Sequence, residues 1–201
     1  MKIICIGKNY LEHAKEMGDI APEKPILFLK PDSAILPKRN PFYIPNFTNE
    51  VHHEVELIIK IKKLGKCINL NFAKEYYSEI GLGIDFTARD IQRKCKEKGH
   101  PWEIAKAFDQ SAVISDSFID INSLSDINFH LDKNGETVQK SNIKDMIFSI
   151  DEIIHYVSKY MTLKIGDLIF TGTPSGVGPV NIGDRLEGFI NDKKMFTVNI
   201  K

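Results

Sequence analysis

The chain has 201 residues, of which 42% are hydrophobic and 27% charged, enough for one domain that buries roughly 70% of the surface its unfolded chain would expose. That balance excludes wholesale disorder and low-complexity behaviour. Lys plus Arg equal Asp plus Glu at 27 each, so no global positive field exists to gather a nucleic acid or an anionic membrane, and neither is expected as a partner.

From the N-terminus, residues 2–6 predict a short buried strand, and Tyr10 to Met17, with Tyr10, Ala14 and Met17 at helical spacing, predict a short helix. Pro22, Pro25, Pro31, Pro37, Pro41 and Pro45 leave room only for loops and edge strands, with a brief strand at Ile26 to Leu29. Val51 to Lys63 alternates in a way that predicts one half-buried strand, with Val51, His53, Val55, Leu57, Ile59 and Ile61 on one face. Its other face carries His52, Glu54, Glu56, Ile58, Lys60 and Lys62. A helix is expected around Phe72 to Tyr77, and another over 88–98 behind a capping box of Thr87 and Asp90. Ser149 with Glu152 forms a second box before Ile153, Ile154, Val157 and Met161. Asn134-Gly135 is a hairpin signal, Asn191-Asp192 a weaker one, and Ile-Gly-Asp occurs at 165–167 and 182–184, each time turning into an apolar segment.

Cys5, Cys67 and Cys95 are odd in number and lack zinc spacing, so they read as reduced thiols of a cytoplasmic protein. The apolar run Ile3 to Ile6 is too short for a signal peptide, and no run approaches membrane-spanning length.

Period two puts Glu54 and Glu56 on one side of a strand, roughly 7 Å apart, where a hard cation could sit between them; a solvated charged face is the commoner alternative. Asp85 ends the apolar run Ile80 to Ile84, where a strand end projects into a crevice. Three carboxylates suit Mg²⁺ or Mn²⁺ and leave positions for water and substrate oxygens. His13 and Glu16 are neighbours on a helical face, an arrangement that can raise the basicity of an imidazole, or merely part of an exposed mixed-charge helix. Lys106 has apolar neighbours, although a lysine lying along the surface is the usual outcome. The segment Thr171-Gly-Thr-Pro-Ser-Gly-Val-Gly-Pro179 has no nucleotide-binding spacing, so no organic cofactor is expected; its glycines would let amides approach an anion, or simply make a tight turn.

Gly7-Lys-Asn-Tyr10 with His13 and Glu16, His52-His-Glu-Val-Glu56, Asp85-Phe-Thr-Ala-Arg-Asp90 with Gln92, Lys106, and Thr171-Gly-Thr-Pro174 with Gly176-Val-Gly178 form an ordered set. Together they resemble the fumarylacetoacetate hydrolase family over almost the whole chain, most closely its short, single-domain acylpyruvase branch. The resemblance implies a β-rich α+β fold, a mixed β-sandwich roll with a few short helices, forming one catalytic domain over 1–201. It also implies a homodimer, Mg²⁺ or Mn²⁺ on Glu54, Glu56 and Asp85, and a lid at about 9–24 that brings His13 and Glu16 over the site. Lys106 would join that dyad in catalysis, and Arg89, Gln92 and Thr171 would face a 2-oxo or 2,4-dioxo acid. The implied activity is hydrolysis of a C–C bond in acylpyruvates, or decarboxylation of oxaloacetate, through a pyruvate enolate. A 2-oxo acid isomerase or tautomerase is the alternative, and a catalytically silent binding module a more distant one.

Overall fold

The computed structural model describes residues 1–18 and 20–201; Asp19, within the expected lid segment, lies outside the described residues. The strands in chain order are β1 (Ile3–Gly7), β2 (Ile26–Lys30), β3 (Val51–His53), β4 (Val55–Lys60), β5 (Glu79–Asp85), β6 (Thr87–Ala88) and β7 (Ala112–Ile114). They continue as β8 (Ile119–Asp120), β9 (Asn128–Lys133), β10 (Glu136–Asn142), β11 (Leu168–Phe170), β12 (Gly178–Pro179), β13 (Arg185–Ile190) and β14 (Lys193–Asn199). The helices are α1 (Leu11–Glu16), α2 (Arg89–Lys98), α3 (Glu103–Lys106) and α4 (Ile150–Tyr160). This is the strand-rich α+β class expected, with short helices.

Among the described residues three sheets form. The largest runs β2-β1-β11-β4-β5-β7, with β8 beside β5; a second runs β10-β9-β13-β14, and a small third runs β12-β3-β6. In the large sheet only β1 and β11 pair in parallel, with Ile4 opposite Ile169. Period two divides β1 between two apolar layers. Ile4 and Ile6 join Leu57, Ile59, Leu82 and Ile84, packed with Phe129, Leu186 and Phe196 of the second sheet. Ile3 and Cys5 face the other way, onto Phe28, Ile58, Leu168 and Phe170. Both faces of the large sheet are therefore covered.

That double cover corrects the expectation of one half-buried strand over Val51 to Lys63. The chain breaks at Glu54, with β3 in the small sheet and β4 in the large one, and Glu54, Glu56 and Ile58 are all buried. Ile58 belongs to the second apolar layer; full burial of such a side chain stabilises by roughly 1.5–3 kcal/mol, which holds the carboxylate face inward. A solvated charged face is excluded.

Two local expectations are also corrected. Thr87 does not cap α2: it lies in β6, where its hydroxyl donates to the Asp85 carbonyl and accepts from Lys106 Nζ, while Asp90 takes the Thr48 hydroxyl and the Asn49 amide instead. The helix near Phe72 is a 3₁₀ helix over Leu70–Tyr76, started by the Asn69 side chain and burying only Ala73, too narrow an apolar stripe to hold α-helical turns. Elsewhere the local chemistry held. Ser149 and Glu152 close a full capping box on α4, and Asn134 and Gly135, both at positive φ, turn β9 into β10. No helix among the described residues is long and apolar enough to cross a membrane.

Candidate active site

Glu54 at the break, Glu56 in β4 and Asp85 at the end of β5 bring one carboxylate oxygen each to within 4.8 Å of one another, all buried. The break serves this convergence, because Asp85 N donates to Glu54 O at 2.8 Å where the β4–β5 ladder ends. Cations surround the cluster. Lys106 Nζ, from α3, lies 2.6 Å from Glu54 Oε2, 2.8 Å from Asp85 Oδ2 and 2.7 Å from Thr87 Oγ1. Arg89, the first residue of α2, binds the other Glu54 oxygen and donates to Gln92 Oε1 at 2.6 Å. Lys30 stands 2.8 Å from Asp85 Oδ1, but its hydrogen bonds go to Lys106 O, Ser111 O and Ser111 Oγ, leaving Asp85 Oδ1 without one.

The electrostatics differ for each member. Burial works against the charge on Glu54, yet Lys106 and Arg89 outweigh it and hold this carboxyl well below the usual carboxylate range. Glu56 is pushed well above that range, first by burial and then by the charges of Asp85 and Glu54; the Gly172 amide at 2.7 Å only partly offsets this. Lys106 stays an ammonium: burial lowers its pKa, but Asp85 and Glu54 raise it further. A divalent ion fits this group, since all three donors are hard oxygens, Asp85 Oδ1 has no hydrogen bond, and among the described residues Glu56 forms no ion pair. It would be held by Glu54, Glu56 and Asp85.

The helix α1 covers this cluster. His13 is buried and its Nδ1 lies 3.0 Å from Glu16 Oε2, while Glu16 Oε1 accepts from Gly176 N at 3.0 Å. The 171–178 loop thus presents one amide to Glu56 and another to Glu16. Sequence reading expected this loop's amides to approach an anion, and the anions are the protein's own carboxylates. Gly176 is required here: its φ is +94°, and a Cβ would stand 2.2 Å from Val138 O.

A small cavity of about 40 Å³ lies between these groups, lined by His13, Glu54, Glu56, Asp85, Arg89, Gln92 and Lys106, with Phe28, Met17 and Trp102 as apolar walls. Of the nine residues singled out in the sequence, Glu16 and Thr171 do not line it. Glu16 stands behind His13. The Thr171 hydroxyl is committed to Leu57 O at 3.0 Å, and Thr173 is the threonine that reaches the cavity.

The fumarylacetoacetate (FAA) hydrolase C-terminal family matches residues 2–201. The chain belongs to the fumarylacetoacetate hydrolase family. Among its relatives, the mitochondrial oxaloacetate tautomerase FAHD1 of Bos taurus is 43% identical over 192 residues, covering 94% of this chain and 86% of its own. The oxaloacetate tautomerase YcgM of Escherichia coli is 42% identical over 189 residues, covering 92% and 86%. The crystal structure of fumarylpyruvate hydrolase from Pseudomonas aeruginosa, in complex with Mn²⁺ and pyruvate, superposes with a TM-score of 0.93 at 37% identity, covering all of this chain and 89% of that one. The β-rich roll expected from the family resemblance is therefore the fold observed.

In this family member, sequence reading missed Lys30, Thr87 and Thr173. Lys30 had a usable signal, a lysine ending the apolar strand Ile-Leu-Phe-Leu immediately before a proline. Thr173 had none that set it apart from Thr171.

Proposed function

We propose that this protein is a metal-dependent enzyme of short 2-oxo and 2,4-dioxo acids, one that hydrolyses a C–C bond in acylpyruvates or decarboxylates oxaloacetate. The observation that carries this reading is the His13–Glu16 pair held by Gly176 directly over a buried acidic triad. Glu54, Glu56 and Asp85 would hold Mg²⁺ or Mn²⁺, which when bound would supply Lewis acidity toward the oxygens of the oxo acid. Arg89 and Gln92 orient the substrate carboxylate, and Thr173 takes the place expected of Thr171. In the tautomer whose Nδ1–H points to Glu16, His13 offers Nε2 as the base that removes a proton from water. Lys106 adds positive charge where the departing pyruvate becomes an enolate, before the enolate is protonated.

Tautomerisation of oxaloacetate is the second reading. The names of the two relatives favour it, and it needs the same charge around the enolate but no activated water. We further propose that residues 1–201 act as one catalytic domain with a lid at about 9–24, that two copies form a homodimer, and that the free thiols Cys5, Cys67 and Cys95 suit the reducing cytoplasm.

A panel of acylpyruvate, oxaloacetate in its keto and enol forms, and 2-hydroxyhepta-2,4-diene-1,7-dioate, assayed with and without chelator, tests the reading. Turnover of at least one should vanish on chelation and return with Mg²⁺ or Mn²⁺. Full activity in metal-stripped protein, or none on any substrate with metal present, would overturn it.

A further inference from the structure

Gln139 lies outside the cavity, in β10 of the second sheet, yet it is buried and every hydrogen-bonding position of its amide is used. Oε1 accepts from His53 Nδ1 and from Val55 N, each at 3.0 Å. Nε2 donates to Thr173 Oγ1 at 2.9 Å and to Pro174 O at 3.0 Å. Val55 N can only donate and Pro174 O can only accept, so the two ends of the amide cannot be exchanged.

We infer that Gln139 is a positioning residue that sets Glu54 with one end of its amide and the Thr173 wall of the cavity with the other. Its two Oε1 donors come from the residues on either side of Glu54, at the break between β3 and β4 where the chain passes from the small sheet to the large one. Its Nε2 acceptors belong to the loop that continues to Gly176 and the lid carboxylate. A β-bulge at Val138 shifts the β9–β10 register between Thr137 and Gln139, which turns Gln139 inward, and Val138 O packs against Gly176. The second sheet, which contributes no side chain to the cavity lining, thereby fixes the spacing between the acidic triad and the opposite wall.

The inference rests on the proposed metal-dependent function, and its test separates the two. Mn²⁺ affinity is measured by calorimetry, and KM and kcat for oxaloacetate by rate assay, in wild type, Gln139→Leu and Gln139→Glu, with circular dichroism confirming the fold. Gln139→Leu loses all four bonds, so Mn²⁺ should bind at least about tenfold more weakly and KM should rise. Gln139→Glu keeps both acceptor contacts and, once protonated, one donor; its Mn²⁺ affinity should stay within about threefold of wild type while KM rises about threefold or more. Folded Gln139→Leu with unchanged affinity and KM would overturn the inference. So would Gln139→Glu with Mn²⁺ binding weakened more than tenfold at unchanged KM, a measurement that stands even if Gln139→Leu does not fold. Failure of the wild type to bind Mn²⁺ would overturn the functional reading, and this inference with it, before any variant is compared.

Discussion

Replacing Lys30 by Met keeps most of the apolar stem and removes the ammonium. That ammonium is fully buried, 2.8 Å from an Asp85 oxygen that has no hydrogen bond, and it also donates to Ser111 Oγ at 2.8 Å. Neither charged side chain of the pair is exposed, so solvent does not screen the interaction. Removing one partner of such a pair costs about 3–5 kcal/mol at most, because Asp85 is left buried with its Oδ1 unpaired and Lys106, on Oδ2, as its remaining cation. For a chain of this size each kcal/mol lowers Tm by about 2–4 °C, which predicts a fall of about 6–20 °C in thermal melts of metal-free protein. Saturating Mn²⁺ should then raise Tm more in the variant than in wild type, since the triad has gained one unbalanced negative charge. A tenfold gain in affinity would return about 1.4 kcal/mol. A metal-free Lys30→Met protein melting within about 2 °C of wild type would refute the reasoning, for a loss under about 1 kcal/mol is not that of a broken buried pair.

The His13–Glu16 pair separates the two readings of function: His13→Ala should slow acylpyruvate hydrolysis roughly a hundredfold, the usual loss for a general base, and oxaloacetate decarboxylation less, because carbon dioxide leaves without a nucleophile. Glu16→Gln keeps an acceptor for Gly176 N and serves as the control; equal losses in both reactions for both variants would point to a shared proton transfer, as a tautomerase requires. A pH prediction follows from Asp167, whose carboxyl burial would raise but which Lys2 and the Lys164 and Lys2 amides hold below its ordinary value. A carboxylate lowered on folding stabilises above its unfolded pKa, about 3.9, and loses that contribution as pH falls through the folded value. Asp167→Asn should therefore cost about 1.5–3 kcal/mol at pH 7, as for hydrogen bonds to a charged group, with the gap from wild type narrowing on acidification below about pH 4; an equal gap in melts at pH 7 and pH 2 would contradict this.

The metal-binding candidates were legible because their signal is local. Alternation puts Glu54 and Glu56 on one face, and an apolar run delivers Asp85 to a strand end. What alternation could not show is that this face is covered by Phe28, Phe170 and their neighbours, since the large sheet brings those residues together from distant parts of the chain. Thr87 illustrates the competing principle: its spacing to Asp90 reads as a cap, but a buried ammonium 19 positions away takes the hydroxyl. Gln139 is a harder case, with partners 84 and 86 positions earlier and 34 and 35 later. Nothing in its own neighbourhood marks it as anything but one polar residue in a hairpin.

The parallel pairing of β1 with β11 has a consequence for biogenesis. The Lys2 amide finds Asp167 165 positions on, so the first strand leaves the ribosome long before its neighbour exists. At about 5–20 residues per second the wait is on the order of 8–33 s. Once β2 has been made, β1 can pair with it on one edge, while the backbone groups of its other edge stay open to any passing strand until β11 arrives. Until β11 emerges, the nascent chain therefore presents an apolar strand pair with an open edge.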